Sequence, residues 1–506
     1  MAMGSTGTGK RSLRKTQVMV ALDIGSAASR AMAFSKTGEV LAQSQSQYQT
    51  YFPRPGWVEQ DPLEIWEASQ KALREVLSAL GADRVAAIGM ANQRETTLLW
   101  NRSTGQPLYR AIAWQCRRTV NLCRELSAHS QLIKRRTGLF LDPYFSATKI
   151  RWILDNVAEA RREIEKEEAI FGTVDSWILW NLTGRRVHAT DPSNAARTLC
   201  FNIHALDYDD ELLRIFGLPR SLFPQVKDSA GPFGATSEEV TGRPIPIMGI
   251  LGDQSASLFA QEGVSEHVVK NTYGTGLFLM TSTGEKVPAS GRLVNTIAWK
   301  LGERCTYALE GSMLVGGSGL QWLKDQLQLI GSFSEAEKMA ASLDFNEGVY
   351  FVPALVGLGA PAWDPDARGL FMGLTQNTTR QHLARAALEA MAYQTRDVME
   401  ELKRVVPTHP FRSLRVDGQG ARVDLLMQFQ ANILNMPVER PAFVEATALG
   451  AAGVAGLAAG FWTQDEFFKV RKVDRIFIPR MGESTREVLY RGWKKARAMA
   501  VRRDVE

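Results

Sequence analysis

The chain has 506 residues, with 45% hydrophobic and 23% charged residues, as is typical of a soluble globular protein. The length is too great for one hydrophobic core, so two large domains are expected. The net charge of +6 is spread thinly except at the two ends. The four cysteines have neither metal-ligand spacing nor a disulfide pattern, which fits a reducing, cytoplasmic location.

Both ends of the chain are basic. Such ends can contact membranes or nucleic acid, but no aromatic residues interleave the charges, so solvated tails are favoured and no nucleic-acid partner is expected. Residues 1–15 are predicted to be a disordered basic tail, and a mitochondrial presequence is the open alternative. Gly4–Lys10 (GSTGTGK) imitates a phosphate-binding Walker loop, but Arg11 stands where that loop needs Ser or Thr.

The first half of the chain alternates strands with helices. Asp61 and Pro62 are typical of a helix start, because aspartate caps the exposed amides and proline fits the first helical position. The pattern predicts a mixed sheet with helices packed on it. The expected strands are Val18–Leu22, Ala31–Phe34, Val40–Ser44 and Val85–Met90, and the expected helix runs to about Leu80.

The second half repeats this design. Pro246–Leu251 is an apolar strand, and Lys270–Met280 has a glycine turn with hydroxyls between two β runs. Two such hairpins about 250 residues apart predict a duplicated domain with a ligand cleft between the copies. We expect the boundary near residue 258, giving domains 16–257 and 258–506. The weakly apolar stretch Ala446–Trp462 is predicted to be a close-packed buried helix, so no stable membrane insertion is expected.

The turn after the first strand has the residues of an anion site. Gly25 and its small neighbours allow backbone N–H groups to approach a phosphate, and Ser26 and Ser29 add hydroxyls. Arg30 adds a fixed positive fork, and Asp23 is placed to hold Mg²⁺ through water. An ordinary hairpin turn is the alternative interpretation.

Asp253 follows an apolar strand and is a candidate general base. A carboxylate that emerges from a buried strand into a cleft can take a proton from an alcohol. The alternative is a capping aspartate at the start of the next helix, which the following residues also suit.

Further glycine turns in the second half point to a nucleotide. Each turn is weak by itself, but together they favour a nucleotide cleft, because bare backbone can lie against a ligand there. They are Tyr273–Gly276, the group Gly311, Gly316, Gly317 and Gly319, and the pair Gly418 and Gly420.

Loops of the first half contain residues that suit a small polyhydroxyl compound. Arg94 and Glu95 can donate to and accept from hydroxyls, and Trp114 and Tyr144 can cover C–H faces. Surface salt bridging and core aromatics are an equally good explanation at this point.

Taken in order, these motifs resemble the glycerol-phosphorylating members of the FGGY carbohydrate kinase family, from about Val18 to Met499. The stretches Tyr144–Ile153 and Gly369–Glu389 fit the two family signature patterns. Other matching stretches are PGWVEQDPLEIW, NQRETT, WQCRRT, NTYGTG, GLGAPAWDP and ATALGAA.

The resemblance implies an α/β protein of two actin-like (ribonuclease H-like) domains, with mixed sheets flanked by helices and a ligand cleft between them. It implies transfer of the ATP γ-phosphate to glycerol, giving sn-glycerol 3-phosphate and ADP for glycerol catabolism and glycerolipid metabolism. Mg²⁺ is the implied cofactor, and a homo-oligomer (dimer or tetramer) is expected.

The resemblance also assigns site residues. Asp253 would be the catalytic base, and Asp23 and Asp253 would hold Mg²⁺, partly through water. The glycerol pocket would comprise Arg94, Glu95, Trp114, Tyr144, Asp253, Gln254 and Phe278. The nucleotide would contact Ser26, Arg30, Thr275, Gly317, Gln321 and Gly418.

Two departures from the family pattern lie on the expected nucleotide side. Ala27 and Ala28 stand where the family has hydroxyl residues that would face the ATP phosphates, which predicts a slower kinase or weaker ATP binding. Gln419 and Val423 stand beside the expected adenine contacts. The alternatives are therefore a catalytically weakened polyol-binding scaffold or a kinase for another small polyol.

Overall fold

The computed structural model describes residues 17–263 and 268–501, which we call the first half and the second half. The Walker-like segment Gly4–Lys10 and the predicted basic tail, residues 1–15, lie outside the described residues.

The first half is built on a mixed five-stranded sheet with the order β5-β4-β1-β2-β3. Strands β1, β2 and β3 pair antiparallel, whereas β1, β4 and β5 pair parallel. This arrangement confirms the predicted mixed sheet. The strands are β1 Val18–Ile24, β2 Ala28–Phe34, β3 Val40–Gln47, β4 Val85–Asn92 and β5 Ile247–Gly252.

The second half contains a mixed seven-stranded sheet with the order β8-β9-β7-β6-β10-β11-β12. At its centre β6 pairs antiparallel with β7 and parallel with β10, as β1 does with β2 and β4 in the first half. The predicted repetition of the hairpin design is therefore present. The strands are β6 Val269–Tyr273, β7 Leu277–Gly284, β8 Val294–Leu301, β9 Arg304–Met313, β10 Leu414–Asp417, β11 Val438–Pro441 and β12 Val473–Phe477.

Helices flank both sheets, and short strands pair in the connections. The α-helices are α1 Pro62–Leu80, α2 Val120–Glu125, α3 Ser130–Thr137, α4 Ser146–Asn156, α5 Ala158–Glu165, α6 Val174–Leu182, α7 Pro192–Ala195, α8 Asp210–Phe216, α9 Glu238–Thr241, α10 Asp253–Ala260, α11 Gly317–Asp325, α12 Phe333–Ala341, α13 Arg380–Val405, α14 Asp424–Leu434, α15 Ala446–Ala458, α16 Gln464–Phe468 and α17 Glu483–Ala500. The short strands are Thr50–Tyr51, Glu59–Gln60, Leu98–Asn101, Ala111–Ile112, Ala169–Gly172, Ala189–Thr190, Phe201–Asn202, Asp207–Tyr208, Gln225–Val226, Tyr350–Val352 and Leu370–Met372.

Helix α1 has the bounds that its sequence predicts. The Asp61 carboxylate accepts from the N–H of Leu63 at 2.9 Å, and Pro62 occupies the first helical position. Gly81 ends the helix with φ of +86°, a conformation that glycine adopts without steric cost.

Helix α15 belongs to the second half but packs on the sheet of the first half, against β1, β4 and β5 and beside α10. Small residues make this possible, because a Cβ on Gly450 would lie 1.8 Å from the carbonyl oxygen of Ala256. The predicted close-packed buried helix is confirmed. Among residues 17–263 and 268–501, no helix is long and apolar enough to cross a membrane. The predicted domain boundary near residue 258 falls inside α10 and remains a prediction.

Candidate functional site

The turn between β1 and β2 is held by side chains of neighbouring elements. Gly25 N–H donates to the Ala28 carbonyl at 3.0 Å, which closes the turn. The Tyr48 hydroxyl donates to the Gly25 carbonyl, and the indole N–H of Trp114 donates to Ser26 Oγ at 2.9 Å. The expected phosphate contact Ser26 and the expected glycerol contact Trp114 therefore touch each other.

Residues of the hairpin alternate between the two faces of the sheet. Ser29 is fully buried, and its hydroxyl bonds to Ser69 of helix α1 at 2.7 Å. The expectation that Ser29 offers its hydroxyl to an anion is therefore wrong, since in a strand the neighbouring side chains point to opposite faces. Arg30 lies on the other face, opposite Asp23 in the β1–β2 register, and Ala27 at the tip is exposed.

Asp23 lies near the end of β1 in a concentration of negative charge. Burial raises the pKa of its carboxyl to about 7. Arg30, at 3.9 Å, opposes this rise, whereas Glu445 and Asp253 add to it. A group of carboxylates that raise one another's pKa values is a place where a cation would be stabilised.

Asp253 is the first residue of helix α10, directly after β5. Its Oδ1 accepts from the backbone N–H of Gln254 at 2.7 Å and lies 3.2 Å from Nε of Arg94. Burial raises the pKa of this carboxyl, and Arg94 opposes the rise. The capping interpretation is wrong, because Gly252 occupies the N-cap position and no side chain among the described residues caps the helix. The Asp253 side chain is 25% exposed, and its role as a general base remains a prediction.

A network of ion pairs connects Asp253 with the second half. The guanidinium of Arg94 donates to both oxygens of Glu310 in β9, at 2.6 and 2.9 Å. Arg197 donates to Glu310 at 3.0 Å and to Glu95 at 2.5 Å. The charges alternate in sign along this network, so each buried charge has a partner of opposite sign.

Glu310 and Arg197 were not among the residues predicted from the sequence. Burial disfavours the charged form of Glu310, but Arg197 and Arg94 outweigh that effect and hold its pKa far below the usual range. Neither residue belongs to a local pattern, because Arg94 and Glu310 are 216 positions apart in the chain. For Glu310, the available signal was a single carboxylate in the otherwise uncharged segment 305–313.

Aromatic rings form a wall beside these charges. The Trp114 ring lies 5.9 Å from that of Tyr144 and 5.7 Å from that of Phe278, measured between centroids. The Arg94 guanidinium lies 5.8 Å from the Phe278 ring centroid. Phe278 comes from β7, so both halves contribute to this wall, and the predicted polyol-type residues are brought together.

Lys149 holds the backbone of this pocket from behind. Its fully buried ammonium donates to the carbonyl oxygens of Tyr144 at 2.8 Å and of Glu95 at 3.3 Å. Glu95 has φ of +61°, an uncommon conformation for a residue with a side chain. Burial lowers the pKa of Lys149 to about 7. Lys149 was also missed as a pocket residue.

The glycine turns of the second half are packed against one another. Gly317 N–H donates to the Gly274 carbonyl at 2.9 Å, and Gly316 N–H donates to the Thr275 carbonyl at 2.9 Å. Gly418 has φ of +81°, and a Cβ there would lie 2.7 Å from the Tyr273 carbonyl oxygen. Packing alone thus requires this glycine. The structure leaves Gln321 on the exposed face of α11, where its amide donates to Asp325.

Glu445 joins the two groups of expected nucleotide residues. One of its carboxylate oxygens accepts from Arg30 and the other accepts from Gln419. Gln419 therefore has a partner in this chain, and Val423 directly precedes helix α14.

The chain matches two family models and known proteins along most of its length. The profile described as "FGGY family of carbohydrate kinases, N-terminal domain" matches residues 18–260, and the one for the C-terminal domain matches residues 269–459. The chain is 52% identical to glycerol kinase of Aquifex aeolicus, over 95% of this chain and 98% of that protein. It is 49% identical to glycerol kinase 2 of Thermotoga maritima, over 94% and 97% of the two chains.

Solved structures give the same result. The crystal structure of Plasmodium falciparum glycerol kinase with ADP superposes with a TM-score of 0.85 and 34% identity, covering 96% of this chain and 99% of that one. A ligand-bound xylulose kinase from Lactobacillus acidophilus, at 21% identity and a TM-score of 0.82, shares the fold. The predicted fold of two actin-like domains is confirmed.

Proposed function

Since the chain belongs to the FGGY family of carbohydrate kinases, we propose that it is an ATP-dependent kinase that phosphorylates glycerol. The products are sn-glycerol 3-phosphate and ADP. The observation that carries the proposal is the meeting of Asp253, Arg94 and the aromatic wall at one end of the phosphate-type turn, where Trp114 bonds to Ser26. A small triol and a phosphate chain would meet there.

The acceptor pocket would comprise Arg94, Glu95, Trp114, Tyr144, Asp253, Gln254 and Phe278. The charged side chains would exchange hydrogen bonds with the glycerol hydroxyls, and the rings would cover its C–H groups. Because Arg94 and Glu95 are already held by Glu310 and Arg197, little side-chain freedom is lost when the substrate binds.

Asp253 would act as the general base. As the glycerol hydroxyl oxygen attacks the γ-phosphorus, the bond from that phosphorus to the bridging oxygen breaks and the hydroxyl proton passes to the Asp253 carboxylate. Its raised pKa makes this carboxylate a better proton acceptor than an exposed aspartate. Arg94, 3.2 Å away, would keep the carboxylate oriented.

The ATP side would be formed by Ser26, Arg30, Thr275, Gly317, Gln321 and Gly418. Arg30 would exchange its bond with Glu445 for bonds to phosphate oxygens, which match its planar fork. Closure of the two halves over both substrates would exclude water as a competing acceptor.

We also propose that Asp23 and Asp253 hold Mg²⁺, partly through water. No group of three metal-ligating side chains occurs within the described ranges 17–263 and 268–501. This donor set fits Mg²⁺, which is usually bound by one or two carboxylates plus water and substrate phosphates. When bound, the ion would neutralise phosphate charge during transfer.

The proposal also includes a cellular location and an oligomeric state. The cysteines Cys116, Cys123, Cys200 and Cys305 are free in the structure, in keeping with a cytoplasmic location. A homo-oligomer, dimer or tetramer, is also proposed, and sedimentation of the purified protein would test it.

The test is an ADP-release assay with and without glycerol, run beside a panel of other polyols and pentoses. Turnover that depends on glycerol is the expected result. Turnover only with another acceptor would reassign the substrate. Glycerol binding by calorimetry without turnover would favour the polyol-binding scaffold, for which the missing hydroxyls at Ala27 and Ala28 are the supporting observation.

A further inference from the structure

Lys270 is a buried lysine in the central strand β6 of the second half. It pairs with Met280 on one side and Arg415 on the other, and its side chain is fully buried. A lysine is almost never fully buried unless its ammonium has partners. The Lys270 ammonium is therefore expected to have specific hydrogen-bond partners.

The ammonium reaches across to helix α10. Nζ donates to Oε1 of Gln254 at 2.5 Å and to Oγ1 of Thr272 at 2.8 Å. Thr272 in turn donates to Asp417 at 2.7 Å, and Ser257 donates to the other oxygen of Asp417 at 2.7 Å. The lysine is thus held on one side by its own sheet and bonds on the other side to the residue after Asp253.

The contact with Gln254 determines which way the amide faces. An ammonium can only donate, so the amide must turn its oxygen toward Lys270. The Nε2 group, with two N–H donors, is then left on the other side, and no partner for it is found among residues 17–263 and 268–501. Gln254 is 3% exposed, and the two N–H donors of its Nε2 are available to a substrate oxygen.

We propose that Lys270 is a positioning residue, which fixes the Gln254 amide so that its Nε2 donates to a hydroxyl oxygen of the acceptor polyol. The inference rests on the proposed function. It gives the second half an indirect part in acceptor recognition in addition to Phe278, because Lys270 lies in β6 whereas Gln254 lies in α10. Burial lowers the pKa of Lys270 to about 8, so the ammonium remains mainly protonated at neutral pH.

A double-mutant cycle tests the inference. Lys270→Met should raise the KM for glycerol about tenfold, the usual effect of one lost hydrogen bond, with the KM for ATP within about twofold. Gln254→Leu should have a similar effect. Because Lys270 acts through Gln254, the KM for glycerol of the double variant should be no higher than that of Gln254→Leu alone. If the effects of the two substitutions on the KM for glycerol were additive, the inference would be overturned, since Lys270 would then act independently of Gln254.

Two further variants keep the test decisive. Gln254→Glu preserves the acceptor for Lys270 but removes the Nε2 donor, so it should lose glycerol affinity by the same factor; an unchanged KM would contradict the proposal even if Lys270→Met does not fold. Lys134→Met is the matched control, because Lys134 also joins the halves, through the Gly291 carbonyl at 2.7 Å, but lies away from Asp253.

If the wild-type protein uses another acceptor, the proposed function fails, whereas the cycle run with that acceptor still tests Lys270.

Discussion

Arg30 in the first half forms an ion pair with Glu445, the residue that directly precedes helix α15 of the second half. The pair connects the phosphate-type turn to the strand-to-helix connection at Gly418, because the other oxygen of Glu445 accepts from Gln419. Glu445 therefore links Arg30, an expected nucleotide contact of the first half, to the residue that follows Gly418, an expected nucleotide contact of the second half.

The first prediction concerns Arg30. Replacing it with methionine removes a charged donor to the phosphates, and one such hydrogen bond contributes about 1.5–3 kcal/mol. The KM for ATP should rise about 10- to 150-fold, with the KM for glycerol changed less than about threefold. Steady-state kinetics with each substrate varied in turn measures both values.

The control for Arg30 is Arg124→Met. Arg124 also pairs across the two halves, with Asp366 at 2.6 Å, but both side chains are largely exposed, so the pair contributes little. If the KM for ATP rose equally in the two variants, the role of Arg30 would be to hold the two halves together rather than to bind the nucleotide.

The second prediction concerns the turn that lacks hydroxyls. The double substitution Ala27→Thr, Ala28→Ser should raise kcat/KM for ATP at least about tenfold, because each restored hydroxyl can donate to a phosphate oxygen. Ser29→Ala is the matched control, since that hydroxyl bonds to Ser69 in the core, and it should leave the KM for ATP unchanged. No gain in the double variant would mean that backbone amides and water already satisfy the phosphates.

The third prediction is a pH dependence of stability. Burial lowers the pKa of Lys149 from 10.5 to about 7, so above pH 7 the unfolded chain binds a proton that the native protein does not. The native state therefore gains stability as pH rises from about 7 to 10, by at most about 1.4 kcal/mol per pH unit. Lys149→Met removes this gain.

Thermal unfolding from pH 6.5 to 9.5 measures the effect. The melting temperature of the wild type relative to Lys149→Met should increase with pH. Lys71→Met, at an exposed position of α1, is the control for the removal of a lysine. A difference between wild type and Lys149→Met that does not change with pH would contradict the lowered pKa of Lys149.

Local chemistry explains which elements were predictable. The cap at Asp61, the turn at Gly25 and the apolar run before Asp253 each lie within a few residues, so the sequence displays them directly. The pairing of Arg94 with Asp253 and the contact of Trp114 with Ser26 bring together residues that had been singled out separately.

The features that sequence reasoning missed depend on distant pairs. Glu310 and Arg197 are single charged residues whose charged partners lie 102 to 216 positions away in the chain, so no spacing identifies them. Helix α15 was expected to be buried, but its packing on the sheet of the first half depends on close approaches such as that between Gly450 and Ala256, which only the folded chain brings about.

The most direct test of the account is the Asp253→Asn variant, measured for both glycerol binding and turnover. The amide keeps the size of the side chain but cannot accept the proton. We predict that glycerol affinity, by calorimetry, stays within about threefold of wild type, whereas kcat falls by about 100-fold or more, the range in which a general base contributes. A near-normal kcat in this variant would contradict the assignment of Asp253 as the base that activates glycerol.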